Sequence, residues 1–236
     1  MSIVPFDRSL ISLIRRVLSV AETGKPAWNP AEIFVYRDDN RFNPPRRQIT
    51  LSIGFTESGN LKQVLQRYVL KGGKLSGQFA AYLPGLGAKG SASRADDSKF
   101  KALLREASGE AAMIEAQEEC FDEFYLEPAF SWASVNGFAL PLSYLVIADS
   151  FLHSGSMLGF LMNRFSEKKP KFGGNEKVWI QEYLRVRKQW LGGHSNKILN
   201  KTVYRATCYL AELGRDNWNL ETGPIVMNGT PVDWLA

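Results

Sequence analysis

Apolar residues recur at helical spacing in the first segment of the chain. Leu10, Leu13, Ile14, Val17, Leu18 and Ala21 lie three and four apart, which places them on one helix face. Asp7 or Ser9 can cap its start, and Gly24 can stop it. The rhythm changes after "GKPAWNP". Ile33, Val35, Arg37 and Asp39 alternate with Phe34, Tyr36 and Asp38, the two-residue period of a strand. In a second strand Ile49, Leu51, Ile53 and Phe55 alternate with Gln48, Thr50, Ser52 and Gly54. The first set predicts a core face, the second a small, polar wall. Beyond Asn60, a candidate N-cap, the pattern turns helical in "NLKQVLQRYV", "GQFAAYLPGL" and "SKFKALLREAS". A long segment with Pro128 inside it, "GEAAMIEAQEECFDEFYLEPAFSWASVNG", follows. The apolar "FALPLSYLVIADSFLHSGS" and "MLGFLMNRF" come next, then "EKVWIQEYLRVRKQWL" and "KILNKTVYRATCYLAEL". The tail "NWNLETGPIVMNGTPVDW" reads as irregular or extended. One small hairpin among many helices predicts an α+β fold, mainly helical. The expected organisation is a single domain over residues 1–236, with two lobes, a cleft between them and no linker domain.

Composition narrows the function. At 236 residues the chain can bury a sizeable core, and 44% hydrophobic with 22% charged residues describes an ordinary globular protein. The net charge of +5 and pI of about 9.2 suit polyanions. The cations are scattered, however, and the densest clusters, "PPRRQ" and "SEKKPKFGG", are short enough to be solvated surface, so no nucleic-acid partner is expected. Six Trp and eight Tyr fill cores more often than they floor carbohydrate clefts. Cys120 and Cys208 read as two buried free thiols, and with only two His the chain has no zinc spacing. Phosphate-cradling and serine-elbow motifs are missing too, so neither a metal nor an organic cofactor is expected. Arg15 and Arg16 interrupt the N-terminal segment, which does not read as a secretion signal. The longest apolar run is broken by Pro141 and Asp149 and is too short to span a bilayer. The expectation is a soluble monomer that meets no membrane; its localisation is unknown, and any export would use another route.

The candidate chemistry lies near the N-terminus. Glu22 falls in the last turn of the first predicted helix, at the negative end of the helix dipole, a placement that suits a proton donor. The plain alternative is an exposed glutamate. Asp38 and Asp39 stand where the first strand runs out, and charge pairing with Arg46 or Arg47 is the plain account of them. Two carboxyl groups in contrasting surroundings can hold different protonation states, one giving a proton and the other taking one.

The order of parts carries a resemblance. A helix closing in Glu, a hairpin bearing Asp, a strand with Thr that ends in "SIGF", and then "NLKQVLQRYV" and "FAAYLPGL" resemble the chitosanases of glycoside hydrolase family 46, in the lysozyme-like superfamily. "YLEPAFSWASVNGFALPLSYLVIADSFLHSG" is similar to that family's central helix pair. "FGGNEKVWIQEYLRVRKQWL" is similar to its Gly-Gly-Asp/Asn-Glu start and Ala-Arg-Lys helix. The similarity runs from about Leu10 to Val232, by order of motifs rather than by identity. It implies an endo-acting hydrolase of β-1,4-linked chitosan that inverts the anomeric centre without a cofactor. By the resemblance Glu22 is the general acid. The second acid lies in the hairpin, Asp38 on strand parity with Asp39 beside it, and Thr50 orients the attacking water. Arg37, Asp39, Asn60, His153 and Arg187 take substrate-binding positions. Asn60 stands where the family often has an Asp that meets a sugar amine, and for Arg187 a buried pairing role is the alternative. A peptidoglycan hydrolase on the same scaffold is the competing reading, favoured by the basic pI. A non-catalytic sugar- or polyanion-binding relative is the third.

Overall fold

The computed structural model describes residues 6–88 and 90–234. The chain falls into two compact units, one drawn from residues 1–27 and 123–236, the other from 28–122. The first unit opens with α1 (Arg8–Thr23). Asp7 caps it by accepting from Leu10 N, and Gly24 ends it in the left-handed region at φ 76°, where a residue without Cβ is favoured.

Among the described residues, the 28–122 unit contains a three-stranded antiparallel sheet and four helices. The strands are β1 (Ile33–Asp39), β2 (Arg46–Leu51) and β3 (Phe55–Thr56), in that spatial order. The second strand is shorter than the alternation predicts. Ser52 takes φ 54° and Gly54 φ 127°, so the chain turns after Leu51 and "FT" returns as β3. The polar side is also less open than a cleft wall, because Gln48, Thr50 and Ser52 are buried alongside Ile49 and Leu51. Four helices follow: α2 (Leu61–Leu70), α3 (Ser76–Tyr82), α4 (Ser98–Ala107) and α5 (Ala111–Phe121). Asn60 occupies the N-cap position of α2, but its side chain makes no capping bond. Asp97 does cap α4.

A π-helical turn, Asp122–Leu126, begins at the last residue of the 28–122 unit and precedes α6 (Glu127–Val135) of the other. Pro128 therefore stands in the first turn of a new helix rather than inside a long one, where its missing N–H costs nothing. Then come α7 (Pro141–Ser154), α8 (Gly159–Met162), α9 (Glu176–Gly192), α10 (Lys197–Lys201) and α11 (Tyr204–Gly214). The last two divide at Thr202–Val203 what the apolar periodicity reads as one helix. An unbroken run from Leu142 to Ser150 is buried in α7, as expected of a helix apolar on all sides. The tail is a hairpin, β4 (Ile225–Met227) with β5 (Thr230–Val232). Its turn is Asn228–Gly229, both at positive φ, an Asn-Gly hairpin signal; of the irregular and extended readings of the tail, this part takes the extended one. Both cysteines are free. Cys120 is buried, which pushes its thiol up to about 11, while Cys208 is only half-buried. Among the described residues no helix is long and apolar enough to cross a membrane.

Candidate active site

The last turn of α1 carries Glu22, and its side chain keeps 28% of its surface open. Arg205 of α11 reaches it with Nη1 at 2.6 Å from Oε1. The same guanidinium donates from Nε to Asp149 Oδ1 at 2.9 Å and lies 2.8 Å from it through Nη2. Arg187 of α9 meets Asp149 Oδ2 at 2.7 Å, a charge contact without hydrogen-bond alignment. Asp149, Arg187 and Arg205 are all enclosed. Burial pushes the Asp149 carboxyl up, but Arg205 and Arg187 outweigh it and hold it well below the usual carboxylate range. Arg205 is shifted the opposite way, since Asp149 and Glu22 overcome its burial.

Neighbouring groups brace this cluster. Tyr204 donates its hydroxyl to Ala21 O at 2.6 Å, satisfying a carbonyl that the end of α1 leaves open. Tyr209, fully buried, has its phenol raised well above the ordinary value by burial and then by Asp149. His153 contacts Ser154 Oγ at 3.2 Å. Burial, reinforced by Arg205 and Arg187, lowers its pKa to about 4, so its ring is neutral near pH 7. Arg187 has no open surface to offer a sugar, and its charge is directed to Asp149.

The hairpin of the 28–122 unit holds the other candidates. Arg37 pairs with Arg47 across the sheet and Asp39 pairs with Arg46, which leaves Asp38 as the extra residue of a β-bulge. Strict alternation would put Asp38 and Asp39 on opposite faces. The bulge instead brings Asp39 opposite Arg46, on the face shared by the cross-strand pairs Tyr36–Gln48 and Phe34–Thr50. Asp38 is exposed and accepts from Gln48 Nε2 at 2.9 Å. Asp39, 1% exposed, is held by Arg41 at 2.8 Å and Arg46 at 2.9 Å. Arg41 leads the causes that lower its carboxyl to about 2.

The arginine-rich tip is anchored rather than loose. Arg41 donates to Gly87 O at 2.7 Å, Arg46 donates to Ser91 O, and Arg47 pairs with Asp96. Arg37 donates to Pro45 O at 3.3 Å. Thr50 Oγ1 is enclosed and makes no hydrogen bond among the described residues. Tyr36, 50% exposed, stacks on Phe34 with ring centroids 5.6 Å apart. This apolar plate on the Asp38 face suits the C–H side of a pyranose.

The structure thus gathers Glu22, His153 and Arg187 around Asp149 and Arg205 in one unit, and Arg37, Asp38, Asp39 and Thr50 on the hairpin of the other. Asn60 stands at the start of α2. Sequence reasoning missed Arg205 as a partner of Glu22. The signal was there: Arg205, Tyr209 and Glu212 share the buried face of α11, and a charge on such a face needs a partner. Asp149 inside an apolar run is the matching signal. Among the described residues no group of three or more His, Cys, Asp or Glu could hold a metal ion.

Known proteins give the arrangement its context. No curated protein sequence matches significantly. A native chitosanase from Bacillus subtilis MY002 superposes with a TM-score of 0.77 at 19% identity, covering 97% of this chain and 100% of the other. A mutant of that enzyme complexed with 6 GlcN gives the same TM-score, identity and coverage. The family 46 chitosanase of Gynuella sunshinyii, in complex with chitotetraose, has a TM-score of 0.78 at 22% identity, covering 98% and 99%. These likenesses establish a mainly helical fold with a small antiparallel sheet, as the resemblance implied. The model of glycosyl hydrolase family 46 matches residues 19–225, from the closing turns of α1 to the first residue of β4, and on that match the chain belongs to glycosyl hydrolase family 46.

Proposed function

We propose that this glycoside hydrolase cleaves β-1,4 linkages within chitosan chains and inverts the anomeric configuration. The observation that carries the substrate is that relatives of the same fold are chitosanases, one in complex with 6 GlcN and another in complex with chitotetraose. In this reading Glu22, in its acid form, protonates the departing glycosidic oxygen. Arg205, 2.6 Å away, then stabilises the carboxylate that donation creates, with Asp149 holding the guanidinium in place. Asp38 takes a proton from the attacking water, and the Thr50 hydroxyl orients that water. Inversion requires the two carboxyl groups to stand about 6.5–9.5 Å apart, leaving room for one water. Tyr36 offers a sugar ring an apolar plate beside Asp38, and Arg37, Asn60 and His153 are further substrate contacts. Asp39, bound to two guanidiniums, keeps the turn in shape.

Initial rates on chitosan, peptidoglycan and chitin, measured side by side, test the substrate. Chitosan should be turned over fastest, with long oligomers appearing first, as endo cleavage demands. The first products should be α-anomers by proton NMR. Faster turnover of peptidoglycan would move the assignment to the muramidase-type reading that the net charge of +5 favours. β-anomers would overturn inversion.

A further inference from the structure

We propose that Gln48 is the positioning residue for Asp38, an inference that rests on Asp38 as the general base. Gln48 lies within β2 and is 2% exposed. Its Oε1 accepts from Ser58 N at 2.8 Å. A backbone N–H can only donate, so this bond fixes which end of the amide is oxygen. The nitrogen must then face the other way, where Asp38 Oδ1 lies 2.9 Å off, and a carboxylate can only accept. The two contacts require the same orientation.

Asp38 needs such a partner. As the extra residue of the bulge between Arg37 and Asp39, it has no cross-strand neighbour of its own to set its side chain. Its neighbour Asp39 is held by Arg41 and Arg46, whose charges favour a carboxylate that stays ionised and passive. Gln48 offers Asp38 a neutral donor instead. That fixes the direction of the carboxylate while leaving its charge available to pull a proton from water. The supporting bond to Ser58 ties the amide to the chain just after β3, so Asp38 is oriented by a buried side chain of the sheet. Buried, oriented support of this kind is what holds a reacting group within a fraction of an ångström of its working position.

Three variants assayed on chitosan test this. Gln48→Met, of similar length and uncharged, should lower kcat about 10–100-fold with KM within about twofold, the pattern of an interaction felt in the transition state. Gln48→Glu keeps an acceptor for Ser58 N but has no N–H for Asp38, and kcat should fall at least as far. A merely structural glutamine would be rescued by that change. Asp38→Asn separates the two layers. If it keeps more than about a tenth of wild-type turnover, the base assignment itself fails. If it abolishes turnover while folded Gln48→Met or Gln48→Glu stays within about twofold of wild-type kcat, only the positioning role is overturned. A measurement that needs no Gln48 variant is the proton–nitrogen NMR signal of the Gln48 side-chain amide. It should titrate with Asp38 in the wild type and lose that titration in Asp38→Asn; an amide signal blind to Asp38 would overturn the inference.

Discussion

Replacing Asp149 with Asn should damage this protein more than removing Arg205, one of the two arginines that contact it. The cluster sets two guanidiniums, Arg187 and Arg205, against two carboxyl groups, Asp149 and Glu22. Only Glu22 has appreciable open surface. Asp149→Asn leaves both enclosed cations facing a single, partly solvated carboxyl on a different helix, and Arg187 loses its ion pair altogether. Stranding a buried charge costs about 3–5 kcal/mol. For a chain of this length each kcal/mol moves the melting temperature by about 2–4 °C, so the expected fall is about 6–20 °C. Arg205→Met leaves the Asp149–Arg187 pair intact and frees a Glu22 that water can still reach, so its cost should be smaller. Calorimetry at pH 7 on the wild type and the two variants measures the ranking directly. His153 is neutral at that pH and does not complicate the comparison. If Asp149→Asn melts within about 3 °C of wild type, or if Arg205→Met proves the more damaging change, the account of the cluster is wrong.

Two further outcomes are expected. Glu22→Gln should cut chitosan turnover by about 10²–10⁴, the usual range for losing a general acid, while its melting temperature stays within a few degrees of wild type. More than about a tenth of normal turnover would remove Glu22 from the mechanism. The His153 imidazole, lowered to about 4 by burial and then by Arg205 and Arg187, predicts a pH-dependent stability. Between the ordinary value near 6.5 and about 4 the unfolded chain binds a proton that the folded chain refuses, so stability is lost as pH falls through that window. Each unit crossed costs up to about 1.4 kcal/mol, and less where water reaches the ring. Melting temperatures from pH 7 to 4 should therefore decline more steeply in the wild type than in His153→Gln, and equal slopes would refute it.

Several features needed nothing beyond the sequence. The first helix and its Gly24 stop follow from local spacing and local sterics, which depend on residues within a few positions of one another, while the choice of Asp7 over Ser9 as its cap came from the structure. The order of helix, hairpin and helices, and with it the family, was legible for the same reason, because each part is a short-range pattern and their sequence is linear. The place of Glu22 in the last helical turn was legible in the same way, while its catalytic role came only as what the resemblance implies. Tertiary structure decided the rest. The second strand stops at Leu51 because Ser52 and Gly54 take positive φ angles, which alternation alone does not reveal. Strand parity separated Asp38 from Asp39, but a bulge brought Asp39 round to face Arg46, and one extra residue is enough to defeat a period of two. Arg205 and Asp149 are 56 residues apart, and Arg205 and Glu22 are 183 apart. An ion pair between such positions leaves only a weak trace in the sequence, a charge on an apolar face, because the identity of its partner is set by how helices pack and not by any spacing along the chain.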